Sequence, residues 1–466
     1  MAEDLEECDA LHDEERRLKM TLTSARRLYG LGAIMFVALV VCSRSPGGTG
    51  SPSFLVALLV AGGAFLVAIR EFLHTQHYPR RVIFVCLALA ALWRVPFLMA
   101  PPGADDDIHR YLWDGRVQRL GYNPYDVIPA DPALAGLHTP ETRGLNNPEV
   151  SSPYPAGAQL FFRGVTSIHE SIFSFKIAFL ACDLAIVLLL FNILRRNGEA
   201  EHWVLAYAWH PLLAINVAGS GHVDILGVLL LLVSAKALTR RWRMIAATTF
   251  GMAVAVKFLP VVLAPLYWRR VRIRDACVAA LVFVGLYLPY LNGRHLPVGS
   301  IGTFVQRFRF NGPVFGTLQH LASPQTVAAI ALAVGLATAA WFRRKPRSSA
   351  GDEWAWPMAA SLVCAPVVYP WYLLWLLPFL RSLSTVPLIV WSISILPTYL
   401  VWYLRSRGYE WYVPNWILAL EFGSVVIAAA LVLLQRAAQP VTTHTPPEAG
   451  SPANNDPDRA TAKEIR

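Results

Sequence analysis

An all-α polytopic membrane protein is the fold class this sequence predicts, on three observations. The chain has 466 residues, of which 55% are apolar and only 15% charged, and its mean hydropathy is +0.42. A soluble chain would carry roughly a quarter charged residues. Apolar runs of about 16 to 22 residues recur from Leu28 to Leu434, and about 20 residues at a rise of 1.5 Å cross the hydrocarbon. The formal charge of +10 invites a nucleic-acid reading until the basic residues are sorted by side of the membrane. With the N-terminus in the cytoplasm, most Lys and Arg fall in inner segments, as the positive-inside rule requires. No nucleic-acid partner is expected.

Residues 1–27 run from acidic to basic (Arg16, Arg17, Lys19, Arg26, Arg27) and form the expected cytoplasmic N-terminal segment. No small-residue cleavage site follows the first apolar run, so no cleaved signal peptide is expected. The membrane domain is placed at 28–435. Its predicted spans are 28–43, 53–69, 82–99, 172–194, 203–218, 222–238, 244–257, 258–268, 275–291, 324–342, 354–369, 370–380, 385–404 and 415–435. That is about 12–14 crossings, with both termini on the same side. Two stretches lie between inner basic clusters and must cross an even number of times. They are expected to break at Lys257 and Pro260, and at Tyr369-Pro370-Trp371, with both breaks facing outward.

A large hydrophilic loop at 100–171 and a second at 292–323 share the outer face. The tail, 436–466, is rich in Pro, Thr, Ala and Asp without periodicity and reads as a disordered cytoplasmic end. Six scattered cysteines, with no CxxC, give neither a disulfide framework nor a zinc site. Richness in Ala, Arg and Leu points to a bacterial plasma membrane.

The chemistry concentrates where the third span ends, in Ala104-Asp105-Asp106-Asp107-Ile108-His109-Arg110-Tyr111-Leu112-Trp113-Asp114-Gly115. An Asp cap, then Ile108, Leu112, Val117 and Leu120, with Gly121 as the stop, predicts an amphipathic helix lying at the outer surface. Asp107, Arg110 and Asp114 share one face of it, and Asp106 and Arg110 are spaced as an ion pair. Three adjacent carboxylates repel one another, and beyond one cap they add no stability; a functional use for at least one is the better account. On the same outer face, Gly219 to Asp224 forms a short turn carrying His222 and Asp224, and Lys257 marks a broken helix. Ionisable groups inside spans, Asp183 among them, are expensive and are functional candidates by default. Arg307, Arg309, Arg405 and Arg407 are expected as lipid-headgroup anchors, and Trp371, Tyr372 and Trp375 as interfacial belt.

Asp106-Asp107-Ile108-His109-Arg110-Tyr111-Leu112-Trp113-Asp114-Gly115-Arg116-Val117, then Gly121-Tyr122-Asn123-Pro124-Tyr125 and Pro153-Tyr154-Pro155, carry a recognisable pattern. It resembles that of bacterial polyprenol-phosphate-mannose-dependent mannosyltransferases, in the GT-C glycosyltransferase superfamily. Trp209-His210-Pro211, Gly221-His222-Val223-Asp224, Lys257-Phe258-Leu259-Pro260 and Tyr369-Pro370-Trp371-Tyr372 resemble later landmarks of that family. The similarity spreads from about residue 90 to 380. It implies a GT-C-like helical bundle with an extracytoplasmic active site under the first large outer loop. It also carries the family's catalytic base onto Asp106 or Asp107. His109, where the pattern usually has Tyr, and the additional Asp105 are departures from it.

The expected activity is transfer of a hexose, with a family bias to mannose, from a polyprenyl-phosphate donor to an extracytoplasmic glycan or glycolipid. A sugar on a lipid phosphate departs as an anion, so the step needs a carboxylate base and cations for the phosphate rather than a general acid. Asp106 or Asp107 is assigned as base. Lys257 and Arg110 are assigned to the donor phosphate, and Asp114, Asn123, Tyr154, His222, Asp224 and Tyr369 to the sugar or acceptor pocket. No metal site and no cofactor are expected, with a weak divalent-cation dependence left open by the carboxylate triplet. The alternative is a transporter or flippase of lipid-linked sugars, since broken helices also mark carriers. A third reading is a polymerase or ligase using a pyrophosphate-linked oligosaccharide. The missing inverted repeat, and carboxylates in a long loop rather than at the midplane, favour the transferase.

Overall fold

The computed structural model describes residues 2–75, 77–103, 107–292, 297–345 and 351–438, with side chains from residue 23 onward. Asp105, Asp106 and the tail beyond 438 lie outside the described residues. The described chain is helical. Its one β-type contact is an isolated bridge between Phe310 and Val367.

Three long helices come first: α1 (Ala2–Ser43), apolar from Thr23 onward, and the apolar α2 (Pro52–His74) and α3 (Arg80–Met99). The start of α2 is set by Ser51, whose hydroxyl accepts from the Phe54 N–H, with Pro52 in the first turn. The long hydrophilic loop after α3 then forms α4 (Asp107–Arg119) and α5 (Ala156–Ile168). Next come α6 (Ile172–Asn197), stopped by Gly198 in the left-handed region, and the short α7 (Val204–Ala208). A π-type turn at Leu213–Gly219 meets α8 (Asp224–Thr239) at a bend of 113°. The chain continues through α9 (Arg243–Val256), a 3-10 segment Leu259–Tyr267, and α10 (Ile273–Tyr287). It then passes through α11 (Ile301–Arg307), α12 (Pro313–Leu318), α13 (Pro324–Arg344) and α14 (Asp352–Val363). After the 3-10 segment Pro370–Trp375 it closes with α15 (Val386–Ser394), α16 (Leu400–Ser406) and α17 (Asn415–Ala438).

Eight of the described helical stretches are long and apolar enough to cross a bilayer, or nine if the bent pair at 213–239 is one span. The sequence predicts about 12–14. The difference lies in stretches broken into short helical pieces, 203–218 among them. Residues 244–257, 258–268, 354–369 and 370–380, read as crossings, form a 14-residue helix, a nine-residue 3-10 segment, a 12-residue helix and a six-residue 3-10 turn. Both expected breaks are present. Lys257 is extended (φ −156°, ψ 142°) after α9, and Tyr369 is extended (φ −78°, ψ 153°) before Pro370. Proline removes a helix donor and pushes the preceding residue out of the helical region.

The helix of the long hydrophilic loop differs from expectation. Rather than lying on a surface with one solvated face, α4 is buried on nearly all sides. Ile108, Tyr111 and Leu112 join the main core, whereas Trp113 and Val117 pack into a second cluster with Leu134 and Leu145. The loop after α4 folds back over it, and His138 stacks on the Trp113 ring at 4.1 Å. The amphipathic pattern identified one apolar face; the other was hidden because Trp113 alternates with charged residues.

Candidate active site

Four parts of the chain meet at the site: the start of α4, the turn between the π-type segment and α8, and the two breaks at Lys257 and Tyr369. Asp107 opens α4, where the helix N-terminus favours negative charge. Its side chain is 21% exposed, with one oxygen 3.7 Å from His222 Nδ1. Its other oxygen accepts from Asn146 Nδ2 at 3.4 Å. His222 is fully buried and stacks face to face on Trp371 at 4.1 Å, and Trp371 stacks on Tyr369 at 4.3 Å. A column of three rings therefore rises to the carboxylate.

The turn that presents His222 needs Gly221. Its φ is +73°, and a Cβ there would lie 2.6 Å from Ile108 Cδ1, on α4 next to Asp107. Two residues beyond His222, Asp224 opens α8 with its side chain 1% exposed. Its Oδ1 accepts from Lys257 Nζ at 2.7 Å and from Trp375 Nε1 at 2.7 Å. The Lys257 ammonium also lies 3.8 Å from the centre of the Tyr372 ring, and its side chain stays 23% exposed. One short turn thus ties Asp107, through His222, to Lys257, through Asp224. The result is a carboxylate and an ammonium, both partly open, above a buried aromatic floor.

Tyr154 belongs here too. It is half-buried, packs edge-on against Tyr111 at 5.0 Å, and its phenol is pushed well up by burial and by the nearby Asp107 charge. Tyr111 in turn reaches the turn backbone, accepting from the Val223 N–H at 3.5 Å.

Other predicted residues go elsewhere. Arg110 is buried and does not join Lys257; it donates to the carbonyls of Val150 at 2.5 Å and Asn147 at 3.4 Å and pairs with Asp114 at 3.3 Å. Asp114 is buried, accepting from Gln159 Nε2 at 2.8 Å and from the Ser152 hydroxyl. Burial pushes its carboxyl above the usual range, outweighing the pull of Arg110. The network continues through Gln118 to the Tyr290 hydroxyl at 2.8 Å, so this pair ties α4 to the chain around Gln159 and Tyr290. Asn123 likewise spends its amide on Asp126 and the Tyr290 carbonyl, both at 3.0 Å. Asp183 is locked to Arg94 at 2.5 Å and Tyr207 at 2.8 Å, as a structural pairing. Lys176 caps the end of α3, donating to the carbonyls of Phe97 and Ala100 at 3.2 and 2.7 Å.

Sequence reasoning missed Asn146, Tyr111, Trp371 and Trp375 as parts of the site. The two tryptophans are 3% and 0% exposed and are not belt residues. An indole N–H inside an apolar segment must find an acceptor, and the nearby acidic turn at 219–224 was the signal available.

A family model described as alpha-(1->6)-mannopyranosyltransferase, N-terminal domain, matches residues 35–271, just over half of the chain. That range contains Asp107, His222, Asp224 and Lys257. No curated protein and no solved structure matches the chain.

Proposed function

The chain belongs to the alpha-(1->6)-mannopyranosyltransferase family, and on that premise we propose that it transfers mannose from a polyprenyl-phosphate donor with Asp107 as the base. It is a membrane glycosyltransferase, which sets aside the transporter alternative. The observation that carries the assignment is the joined pair of opposite charges, Asp107 beside His222 and Lys257 beside Asp224.

In the proposed step an Asp107 oxygen takes the proton from the carbon-6 hydroxyl of the acceptor as that oxygen attacks the donor anomeric carbon. The bond from that carbon to the phosphate oxygen breaks, and the electron pair leaves with polyprenyl phosphate. The leaving group is already anionic, so no general acid is needed. Lys257, oriented by Asp224 and Trp375, meets the phosphate charge from an aromatic, partly desolvated wall, where such an interaction is stronger than in water. Asn146 and His222 orient the Asp107 carboxylate, and Tyr154 and Tyr369 border the sugar. A single displacement inverts the anomeric centre, so an α-linked product requires a β-linked donor. The acceptor is an extracytoplasmic glycan or glycolipid, and the step uses no metal.

Purified Asp107→Asn, still folded, should lose transfer from radiolabelled polyprenyl-phosphate mannose by about 10²- to 10⁴-fold, the usual worth of a positioned base. Asp106→Asn should keep most of it. Near-normal turnover by Asp107→Asn would overturn the base assignment. Lys257→Gln should raise the apparent donor KM more than it lowers kcat, and an unchanged donor KM would remove its phosphate role. Chelator should leave turnover unchanged; loss restored by added magnesium would refute the metal-free step.

A further inference from the structure

A concave site lies at the far end of α8. From Asp224 to Thr239 the helix rises about 22 Å at 1.5 Å per residue, most of a hydrocarbon thickness. There a cavity of about 360 Å³ opens between the ends of α6 and α8, the residues just after the 3-10 segment Leu259–Tyr267, and the start of α14. Five cations line it: Arg196, Lys236, Arg240, Arg270 and Arg381. Among the lining residues the single carboxylate is Glu353, which is engaged by Arg270 at 3.3 Å. Glu199, outside the lining, approaches Arg381 at 3.5 Å. No carboxylate among the described residues pairs with Arg196, Lys236 or Arg240, and Lys236 lies within electrostatic reach of the other two. Three like charges thus converge on one concave wall and repel each other unless an anion sits between them.

Most of the remaining wall is apolar, with Ile193, Leu232, Trp354 and Phe379 outnumbering the polar Asn197 and Thr239. Cations with hydrocarbon beneath them suit an amphiphile, a phosphate at the mouth and chains running down the helices, rather than a free ion. Basic pockets between membrane helices are a known setting for anionic headgroups. We propose that this cavity binds the phosphate headgroup of an anionic membrane lipid, at the end of the bundle opposite the transferase site.

The test uses the purified full chain in non-ionic detergent, titrated with phosphatidylglycerol, phosphatidylcholine or inorganic phosphate. Thermal midpoint and lipid retained in native mass spectrometry are the two readouts. Phosphatidylglycerol should raise the midpoint saturably and stay bound, while phosphatidylcholine and inorganic phosphate at equal concentration should not. The double variant Arg196→Gln, Arg240→Gln should weaken phosphatidylglycerol retention at least tenfold. Lys236→Gln, a milder change, should weaken it several-fold should the double variant fold poorly. Equal effects of the two lipids, a matching shift with inorganic phosphate, or undiminished retention by folded variants would each overturn the proposal.

Discussion

At the scale of single residues, the site depends on a buried Asp224 whose charge is met from two sides, by Lys257 and by the Trp375 indole. A hydrogen bond to a charged group contributes about 1.5–3 kcal/mol, and removing one partner of a buried pair leaves the other exposed to the full desolvation cost. Trp375→Phe should therefore loosen Lys257 and raise the donor KM several-fold with a smaller effect on kcat. An unchanged KM in a steady-state assay would show that the indole only fills space. Asp114→Ala should behave differently, because it strands the buried Arg110. A loss of about 3–5 kcal/mol is expected for a broken buried pair. It should appear as a lower thermal midpoint and proteolysis between residues 120 and 155, not as a selective change in KM. Asp107, His222, Asp224 and Lys257 were legible in the sequence because a polar cluster at a span boundary or inside an apolar run has few structural uses. Arg110 and Asp114 looked equivalent to them, since helical spacing tells which residues share a face and not what that face meets.

At the scale of elements, the proline breaks were legible and the burial of α4 was not. A proline acts on its own backbone and on the residue before it, so the extended Tyr369 follows from Pro370, whereas Lys257, three residues ahead of Pro260, is extended because α9 ends there before the 3-10 segment begins. Burial of α4 depends on the loop carrying His138 and Leu145 folding back over Trp113, a contact between distant positions that no periodicity encodes. The packing of α8 on the second break is similar. A Cβ at Gly227 would lie 2.1 Å from Trp375 Cη2, so the missing side chain lets the indole reach along α8 to Asp224. Gly227→Ala should push that ring away, at a cost of about 1–3 kcal/mol typical of overpacking. The variant should lose thermal stability and shift the donor KM in the same direction as Trp375→Phe. Combining the two changes should then give less than the sum of their effects, because both act through one contact. Simple additivity in a double-mutant cycle would separate the glycine from the indole.

For the whole molecule, the charge distribution predicts an orientation that the helices alone do not. Long apolar helices establish a membrane protein, and they would fit the bilayer equally well inverted. What breaks the tie is that Arg196, Lys236, Arg240 and Arg270 gather at one end of the bundle while Asp107 and Asp224 begin their helices at the other. Basic flanks are retained on the cytoplasmic side, so the carboxylates should face outward. Donor and acceptor would then meet on the face away from nucleotide pools, which agrees with a lipid-borne donor that needs no soluble sugar nucleotide. This orientation is directly testable in a cysteine-free background carrying one new cysteine at a time. Glu149→Cys, exposed in the long loop after α4 beside the Arg110 contacts, should react with a membrane-impermeant maleimide on intact cells. Arg272→Cys, exposed at the basic end before α10, should react only after permeabilisation. The reverse pattern would place Asp107 against the cytosol, where an extracytoplasmic acceptor cannot reach it, and would leave the base assignment without a substrate.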